Sequence, residues 1–187
     1  CRKADGSLDS ALAETGFYPL LTAGLARRRT ADLGGLTLMS CDNLSHNGEV
    51  LSRLMREYLD GKAPDLTPWF EAECTCPSSM VDRIVPAATE ADLAEAKVIL
   101  GMRDEAAVIA ESFSQWVIED RFAGPRPRWE GHGAQIAGDV APYETAKLRM
   151  LNGAHSALAY IGLEREYEFV HQAIADPELH ALVEDAA

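Results

Sequence analysis

A strand-to-helix pattern between residues 34 and 59 constrains the fold of this chain most strongly. Gly34 and Gly35 precede an apolar run at residues 36–41, and a short run of β-type residues bounded by turn signals predicts a buried strand. Apolar residues at helical spacing then follow from Asn47 to Leu59. The pattern predicts an α/β arrangement, and open α/β sheets place ligand-binding side chains just beyond the carboxyl ends of their strands.

Helical spacing is typical of most of the remaining chain. It predicts helices over residues 17–29 and 143–163, a helix that starts with the hydroxyl cap Thr89, and a final helical pair broken at Pro177. Residues 1–16 predict a loop, and residues 135–140 a short strand or turn. Residues 107–118 are ambiguous, but their β-branched and aromatic side chains favour a strand. The predicted fold class is therefore mainly α with some β.

Polar side chains share one side of the predicted helix around residue 147. At about 100° per residue, Asn152, His155 and Glu144 all lie within roughly 140° of Lys147. A solvated face would favour Glu–Lys pairs and a buried face would favour Leu and Ala. The mixture therefore suggests a lined pocket, in which a desolvated lysine could exchange protons near neutral pH. A helix with incidental polar residues is the alternative.

A charged pair interrupts the strand-like run at residues 79–86. Asp82 and Arg83 lie among apolar residues there, where charges are costly unless they are paired or hydrogen-bonded. The pair is therefore either a structural ion pair or part of a functional site.

Charge and cysteine content exclude several classes of protein. The net charge of −13 argues against nucleic acid or an anionic membrane as partner, because both require a basic surface. Neither a bilayer-spanning apolar run nor a signal peptide occurs, and four cysteines do not suggest a disulfide scaffold, so a cytoplasmic location is expected. Cys74 and Cys76 are too close for a usual zinc knuckle, and the histidines show no ligand spacing with them. No metal site is predicted.

Five segments resemble, in family order, the polyol-specific long-chain dehydrogenases, which include mannitol 2-dehydrogenase, arabinitol dehydrogenase, and the fructuronate and tagaturonate reductases. The matching segments are residues 40–48, 80–86, 115–120, 139–144 and 147–160. The resemblance implies that residues 1–82 form the C-terminal portion of a Rossmann-like α/β cofactor domain. It implies that residues 83–187 form the N-terminal portion of a mostly helical substrate domain. No G-x-G-x-x-G motif occurs, so the chain resembles an internal portion of a longer enzyme.

The resemblance implies three catalytic residues. Lys147 resembles the family's general acid/base, which removes the proton from the alcohol that is oxidised. Asn43 and Asn152 resemble the two carboxamides that polarise the carbonyl oxygen, an oxyanion-hole arrangement without backbone amides.

The resemblance also implies the residues around the catalytic group. His155 corresponds to a contact with a substrate hydroxyl, and Glu144 to the carboxylate that connects the lysine to solvent for proton release. Val81 and Asp82 line the substrate and nicotinamide pocket, so these two residues and Asn43 are the expected cofactor contacts. The family chemistry uses no metal.

The resemblance implies an NAD-dependent oxidoreductase, with NADP as the alternative cofactor, and a monomer is expected. Its substrates would be a sugar alcohol or aldonate and the matching ketose or ketouronate. The pair D-mannonate/D-fructuronate is preferred over D-mannitol/D-fructose. The competing hypothesis is a non-catalytic helical binding or assembly module that retains the dehydrogenase fold. A metal-dependent sugar hydrolase or isomerase would need clustered carboxylate and imidazole ligands, which the sequence lacks.

Overall fold

The computed structural model describes residues 1–186, with side chains up to residue 184. Contacts group the chain into two compact units, Cys1–Gly138 and a second that begins at Asp139. Both units are mainly helical and the sheet lies in the first, so the predicted fold class is confirmed. The predicted domain boundary between residues 82 and 83 falls inside the first unit, next to a strand paired with residues 115–119. That boundary stays a prediction.

The core of the first unit forms around its longest helix. The helices of this unit are α1 (Ser10–Glu14), α2 (Tyr18–Thr30), α3 (Asn47–Lys62), α4 (Thr67–Glu73) and α5 (Glu90–Leu100), with a 3-10 turn at Trp129–His132. Apolar residues of α3 recur at helical spacing and bury Met55 and Leu59 completely. Leu25 of α2 and Phe70 of α4 pack against them in the same core. The helices predicted over 17–29 and from Asn47 are therefore confirmed.

A three-stranded sheet follows the helical core in the chain. Its strands are β1 (Ser79–Asp82), β2 (Gln115–Glu119) and β3 (Ala134–Ala137), in the spatial order β1-β2-β3. β1 is antiparallel to β2, with Val81 opposite Trp116, and β2 is parallel to β3. The β-branched pair Val117 and Ile118 is fully buried, which explains why residues 107–118 favoured a strand.

The strand predicted at residues 36–41 does not form. The segment is extended, but Thr37 makes only an isolated bridge to Thr75. Two backbone bonds hold it: the amide of Leu38 donates to the carbonyl of Thr75 at 2.8 Å, and the amide of Thr75 donates to Leu36 at 3.1 Å. A single bridge is too short to count as a ladder, so the apolar run packs on the helices as extended chain.

Residues 1–16 contain more structure than the predicted loop. A helix, α1, lies within them, and the side chain of Asp9 caps it by accepting from the amide of Leu12 at 3.0 Å. Arg2 and Leu8 form an isolated bridge. Buried Leu8 and Ala13 join the core of the first unit, so two apolar residues in a polar stretch suffice to anchor it.

The second unit consists of helical segments alone among its described residues. They are α6 (Ala141–Ala146), a π-helical turn (Lys147–Asn152), α7 (Gly153–Glu164), α8 (Val170–Ala173) and α9 (Pro177–Ala186). The first three run into one another, because the residues at both junctions keep helical dihedral angles. Leu158, Ala173 and Leu179 form a small core. Arg165 adds ion pairs to Asp176 and Glu178 at 2.8 and 3.0 Å.

Candidate active site

Asn43 lies in an exposed segment between the extended chain and α3. This segment ends at His46, whose positive φ of 54° turns the chain into the helix. A positive φ is uncommon for residues other than glycine, although histidine is among the residues enriched in this region. The sequence motif around residue 43 therefore lies at the N-terminus of α3, although no strand precedes it.

A buried carboxamide at residue 47 ties this segment to β1. The Nδ2 atom of Asn47 donates to the carbonyls of Asp42 and Ser79 at 3.0 and 2.8 Å, and its Oδ1 accepts from the amide of Ser79 at 2.9 Å. The hydroxyl of Ser79 donates to the carbonyl of Ser40 at 2.6 Å. Sequence reasoning assigned no role to Asn47 or Ser79, since nothing local shows that residues 32 positions apart will meet.

Val81 and Asp82 form the end of β1, and both are half-buried. Neighbouring residues of a strand point to opposite faces of the sheet, so only one of these two side chains can face a given pocket. In an antiparallel strand the backbone groups alternate between the two edges. Since Ser79 bonds to Asn47 on the edge away from β2, the amide and carbonyl of Val81 point to that same edge. Val81 and Asp82 therefore present their side chains to opposite faces, and the backbone of Val81 lies at the edge next to the segment before α3.

Arg83, next to Asp82, stabilises the chain between β1 and β2. Its guanidinium donates twice to the carbonyl of Glu111, at 3.0 and 2.8 Å, and the carboxylate of Glu111 accepts from the amide of Ile84 at 2.7 Å. This side chain thus has a structural role. The role of Asp82 stays a prediction.

Lys147 and Asn152 are the first and last residues of the π-helical turn. The amide of Gly153 donates to the carbonyl of Leu148, five residues earlier. Bonds between residues five apart place such residues nearly above one another, whereas an ideal α-helix separates them by about 140°. The π turn therefore brings the two half-buried side chains closer in angle than the sequence analysis predicted. Single π turns within α-helices occur frequently at functional sites.

Glu144 and His155 lie on either side of the π turn. Glu144 is buried in α6, with 8% of its surface exposed, and it precedes Lys147 by three residues, a spacing at which helical side chains are neighbours. His155 is exposed in α7 and follows Asn152 by three residues. The second unit therefore carries an amine, two polar partners and a buried carboxylate along one continuous helix.

The predicted site residues fall into two groups. Asn43, Val81 and Asp82 belong to the first compact unit, and Glu144, Lys147, Asn152 and His155 to the second. In the first group, Asn43 lies just before α3, and Val81 and Asp82 lie at the end of β1. The four residues of the second group lie on one continuous helix. Convergence of the two groups on one cavity stays a prediction.

A cleft in the first unit opens beside the Asn43 segment. It measures about 450 Å³, and it is lined by residues 37–42 together with Phe17, Leu21 and Leu51. Its lining is mainly apolar, with Thr37, Ser40 and Asp42 as polar members. Such a combination suits a partly apolar ligand that needs a few hydrogen bonds.

The thiols of the first unit differ in exposure: Cys1 and Cys41 are exposed, Cys74 is half-buried and Cys76 is buried. Burial raises the pKa of Cys76 to about 11 and also raises the pKa of Cys74, so both thiols are protonated and poor nucleophiles at neutral pH.

Among the described residues, no three histidine, cysteine or acidic side chains are placed to hold a metal ion. None of the described helices has the length and apolar character needed to cross a membrane.

Two family models match the chain. The Rossmann domain model of mannitol dehydrogenases covers residues 12–131, and their C-terminal domain model covers residues 139–187. The chain belongs to the mannitol dehydrogenase family, so the resemblance found in the sequence is confirmed.

Characterised relatives are similar over most of this chain. It is 42% identical to D-mannonate oxidoreductase of Escherichia coli over 91% of this chain and 35% of the relative. It is 43% identical to D-arabinitol 4-dehydrogenase of Ralstonia nicotianae over 92% of this chain and 37% of the relative. The chain therefore spans about a third of the length of these curated relatives.

Solved structures show the same fold. A substrate-free D-sorbitol dehydrogenase superposes with a TM-score of 0.80 at 40% identity, over 86% of this chain and 33% of the other. Mannitol 2-dehydrogenase of Pseudomonas fluorescens, in a ternary complex with NAD and D-mannitol, superposes with a TM-score of 0.73 at 39% identity. That match covers 89% of this chain and 34% of the other.

Proposed function

We propose that this protein is an NAD-dependent oxidoreductase that interconverts a sugar alcohol or aldonate with its ketose or ketouronate. NADP is the alternative cofactor. D-mannonate/D-fructuronate is the preferred substrate pair, ahead of D-mannitol/D-fructose, and a relative named D-mannonate oxidoreductase supports that preference. One observation carries the proposal: the family models cover both segments that hold the proposed site residues.

Lys147 is the proposed general base in the oxidation. Its neutral amine takes the hydroxyl proton of the substrate while the carbinol carbon loses a hydride and the carbon–oxygen double bond forms. A nicotinamide cofactor, when bound, would supply the hydride acceptor. In the reduction the ammonium group of Lys147 returns the proton to the carbonyl oxygen. A general base of this kind typically contributes about 10²–10⁴-fold to the rate.

Asn43 and Asn152 are the proposed donors to the reacting oxygen. Negative charge develops on this oxygen as its proton leaves, and fixed N–H groups stabilise that charge without reorganising. The π turn supports the assignment of Asn152, because it turns this residue towards the side of the helix that carries Lys147.

Glu144 and His155 complete the proposed helix of functional groups. The buried carboxylate of Glu144, one turn before Lys147, would pass the proton from the lysine towards solvent. The exposed imidazole of His155, one turn after Asn152, would bind a neighbouring substrate hydroxyl. Sugar alcohols present such hydroxyls along their whole length, so one imidazole helps to select which carbon reacts.

The residues at the end of β1 fit the nicotinamide end of the cofactor. Asp82 offers a carboxylate, Val81 offers backbone groups at the strand edge, and Asn43 offers an amide at the start of α3. These groups are suited to a planar carboxamide ring next to the reacting carbon. We assign no pyrophosphate contact to this chain, because it contains no glycine-rich G-x-G-x-x-G motif.

A spectrophotometric panel tests the function directly. NAD and NADP reduction is measured with D-mannonate, D-mannitol, D-arabinitol and D-sorbitol, and the reverse reaction with the matching ketoses and ketouronates. We expect turnover with NAD and at least one pair, highest for D-mannonate/D-fructuronate. No turnover with any pair would favour the non-catalytic binding or assembly module. The monomeric state and cytoplasmic location stay predictions.

Lys147→Ala tests the mechanism within that panel. Turnover at neutral pH should fall by at least about 10²-fold, while the affinity for NAD should change little. Lys97→Ala removes an exposed lysine of α5 and serves as the matched control, with turnover expected to equal that of the unmodified protein. Full turnover in Lys147→Ala would refute the assignment.

A further inference from the structure

We infer that Asn47 is a positioning residue that fixes the backbone of residues 40–43 against the edge of β1 and thereby aims the carboxamide of Asn43. The inference rests on the proposed function for the role of Asn43. Asn47 itself touches no proposed substrate atom. It would act entirely through the segment that it holds.

The carboxamide of Asn47 is buried and fully used. Only 2% of the residue is exposed, and its Nδ2 atom has the carbonyls of Ser40, Asp42 and Ser79 at 3.2, 3.0 and 2.8 Å. An amide nitrogen carries two protons, so these three acceptors share two donors. Its Oδ1 accepts from the amide of Ser79 at 2.9 Å. The side chain therefore pairs with β1 as the peptide group of a neighbouring strand would.

The bond to Asp42 reaches the peptide group that leads into Asn43. A peptide unit is planar, so fixing its carbonyl oxygen also fixes the direction in which the next residue leaves it. On the other side, the bonds to Ser79 hold the strand two residues before Val81. One side chain thus sets the distance between two segments that both carry proposed site residues.

The hydrogen bonds from Asn47 to residues 40–42 and to Ser79 together form a clamp. Two neighbouring features reinforce it. The hydroxyl of Ser79 donates to the carbonyl of Ser40 at 2.6 Å, and the hydroxyl of Ser40 accepts from the amide of Asp42 at 3.2 Å. Gly48, the next residue of α3, has no Cβ where one would lie 2.5 Å from the backbone of residues 76–78. This close approach of α3 is what brings Asn47 within hydrogen-bond distance of Ser79.

A double-mutant cycle in the protein tests the inference. Asn47→Asp keeps the shape of the side chain but replaces the Nδ2 donor with an oxygen. A displacement of about 1 Å at a reacting group can cost about 10²-fold. We expect kcat to fall about 10–100-fold in Asn47→Asp, and the KM for NAD to rise by a smaller factor, because Asn43 is also a proposed cofactor contact. In the Asn43→Ala background the same substitution should lower kcat less than about threefold further, because the carboxamide that Asn47 aims is already absent.

The possible results separate the inference from the proposed function. If Asn47→Asp lowers kcat by the same factor with and without Asn43, or not at all, the inference is wrong. If Asn43→Ala keeps full activity, the proposed role of Asn43 fails instead. Hydrogen–deuterium exchange then tests the clamp independently of activity. Amide exchange at residues 40–46 should rise in Asn47→Asp while α2 stays protected. Unchanged exchange at residues 40–46 would show that the clamp does not hold this segment.

A milder variant covers the case in which Asn47→Asp does not fold. Ser79→Ala removes the hydroxyl bond to Ser40 and leaves the backbone pairing of Ser79 with Asn47 in place. We expect a drop in kcat of a few fold that disappears in the Asn43→Ala background. A drop that persists in that background, or no drop, overturns the inference.

Discussion

Gly48→Ala should destabilise the first unit, because α3 approaches the chain before β1 too closely for a methyl group. An added Cβ would lie 2.5 Å from the carbonyl oxygen of Cys76, the carbonyl carbon of Pro77 and the amide nitrogen of Ser78, against an ordinary contact of at least 3.4 Å. All three atoms are backbone, so none can rotate away. The start of α3 must therefore move by about 0.9 Å, the difference between these two distances.

Such a movement would also break the bonds between Asn47 and Ser79. Their lengths of 2.8 and 2.9 Å would grow to about 3.7 and 3.8 Å, beyond hydrogen-bond range. Overpacking costs about 1–3 kcal/mol, and buried groups left unpaired cost about 1–3 kcal/mol. The higher helix propensity of alanine returns about 1 kcal/mol. The free energy of unfolding should fall by about 3 kcal/mol, which lowers Tm by about 6–12 °C.

Urea unfolding followed by circular dichroism measures this change. Gly61→Ala, in the same helix, is the matched control, because nothing lies within 4 Å of its added Cβ. The control should raise the free energy of unfolding by up to about 1 kcal/mol. If Gly48→Ala unfolds at the same urea concentration as the unmodified protein, the close approach of α3 and the derived clamp are both refuted.

Further predictions concern a helix cap and the thiols. Thr89→Ala removes the capping bond to the amide of Asp92 and should lower the free energy of unfolding by about 1 kcal/mol in urea titrations; an unchanged midpoint would contradict it. Burial raises the pKa of Cys76 from 9.0 to about 11, so the folded state disfavours the thiolate and stability should decline as pH rises from 9 to 11. Cys76→Ala should abolish that part of the pH dependence, and an identical slope in both proteins would contradict the assignment. Iodoacetamide at pH 8 should alkylate exposed Cys41 in the folded protein but Cys76 only after unfolding; equal rates, followed by peptide mass spectrometry, would show that Cys76 is not buried.

The sequence predicts the elements whose signals are local. Apolar spacing locates α2 and α3, the hydroxyl before residue 90 locates α5, and Pro177 marks the start of α9. Prediction from the sequence fails where strand pairing determines the secondary structure. Residues 36–41 have the composition of a strand, yet only Thr37 finds a bridge partner. Strand formation depends on a neighbour that composition alone does not provide.

The candidate site shows the same division. The residue types around Lys147 and the family resemblance predict its members, but the spacing of an ideal α-helix places Lys147 and Asn152 about 140° apart. A shift to bonds between residues five apart leaves no signature in residue spacing. The sequence does not predict the clamp at Asn47, because the partner residue Ser79 lies 32 residues later in the chain. Only the fold brings these two residues together.

The central claim is that the amine of Lys147 and the carboxamides of Asn43 and Asn152 meet at one substrate oxygen. A crystal structure of the protein with NAD and a bound polyol or aldonate measures this directly. We expect all three nitrogen atoms within about 3.2 Å of the same hydroxyl or carbonyl oxygen. A complex in which any of the three points away from that oxygen, or in which packed hydrocarbon separates them, would contradict the account.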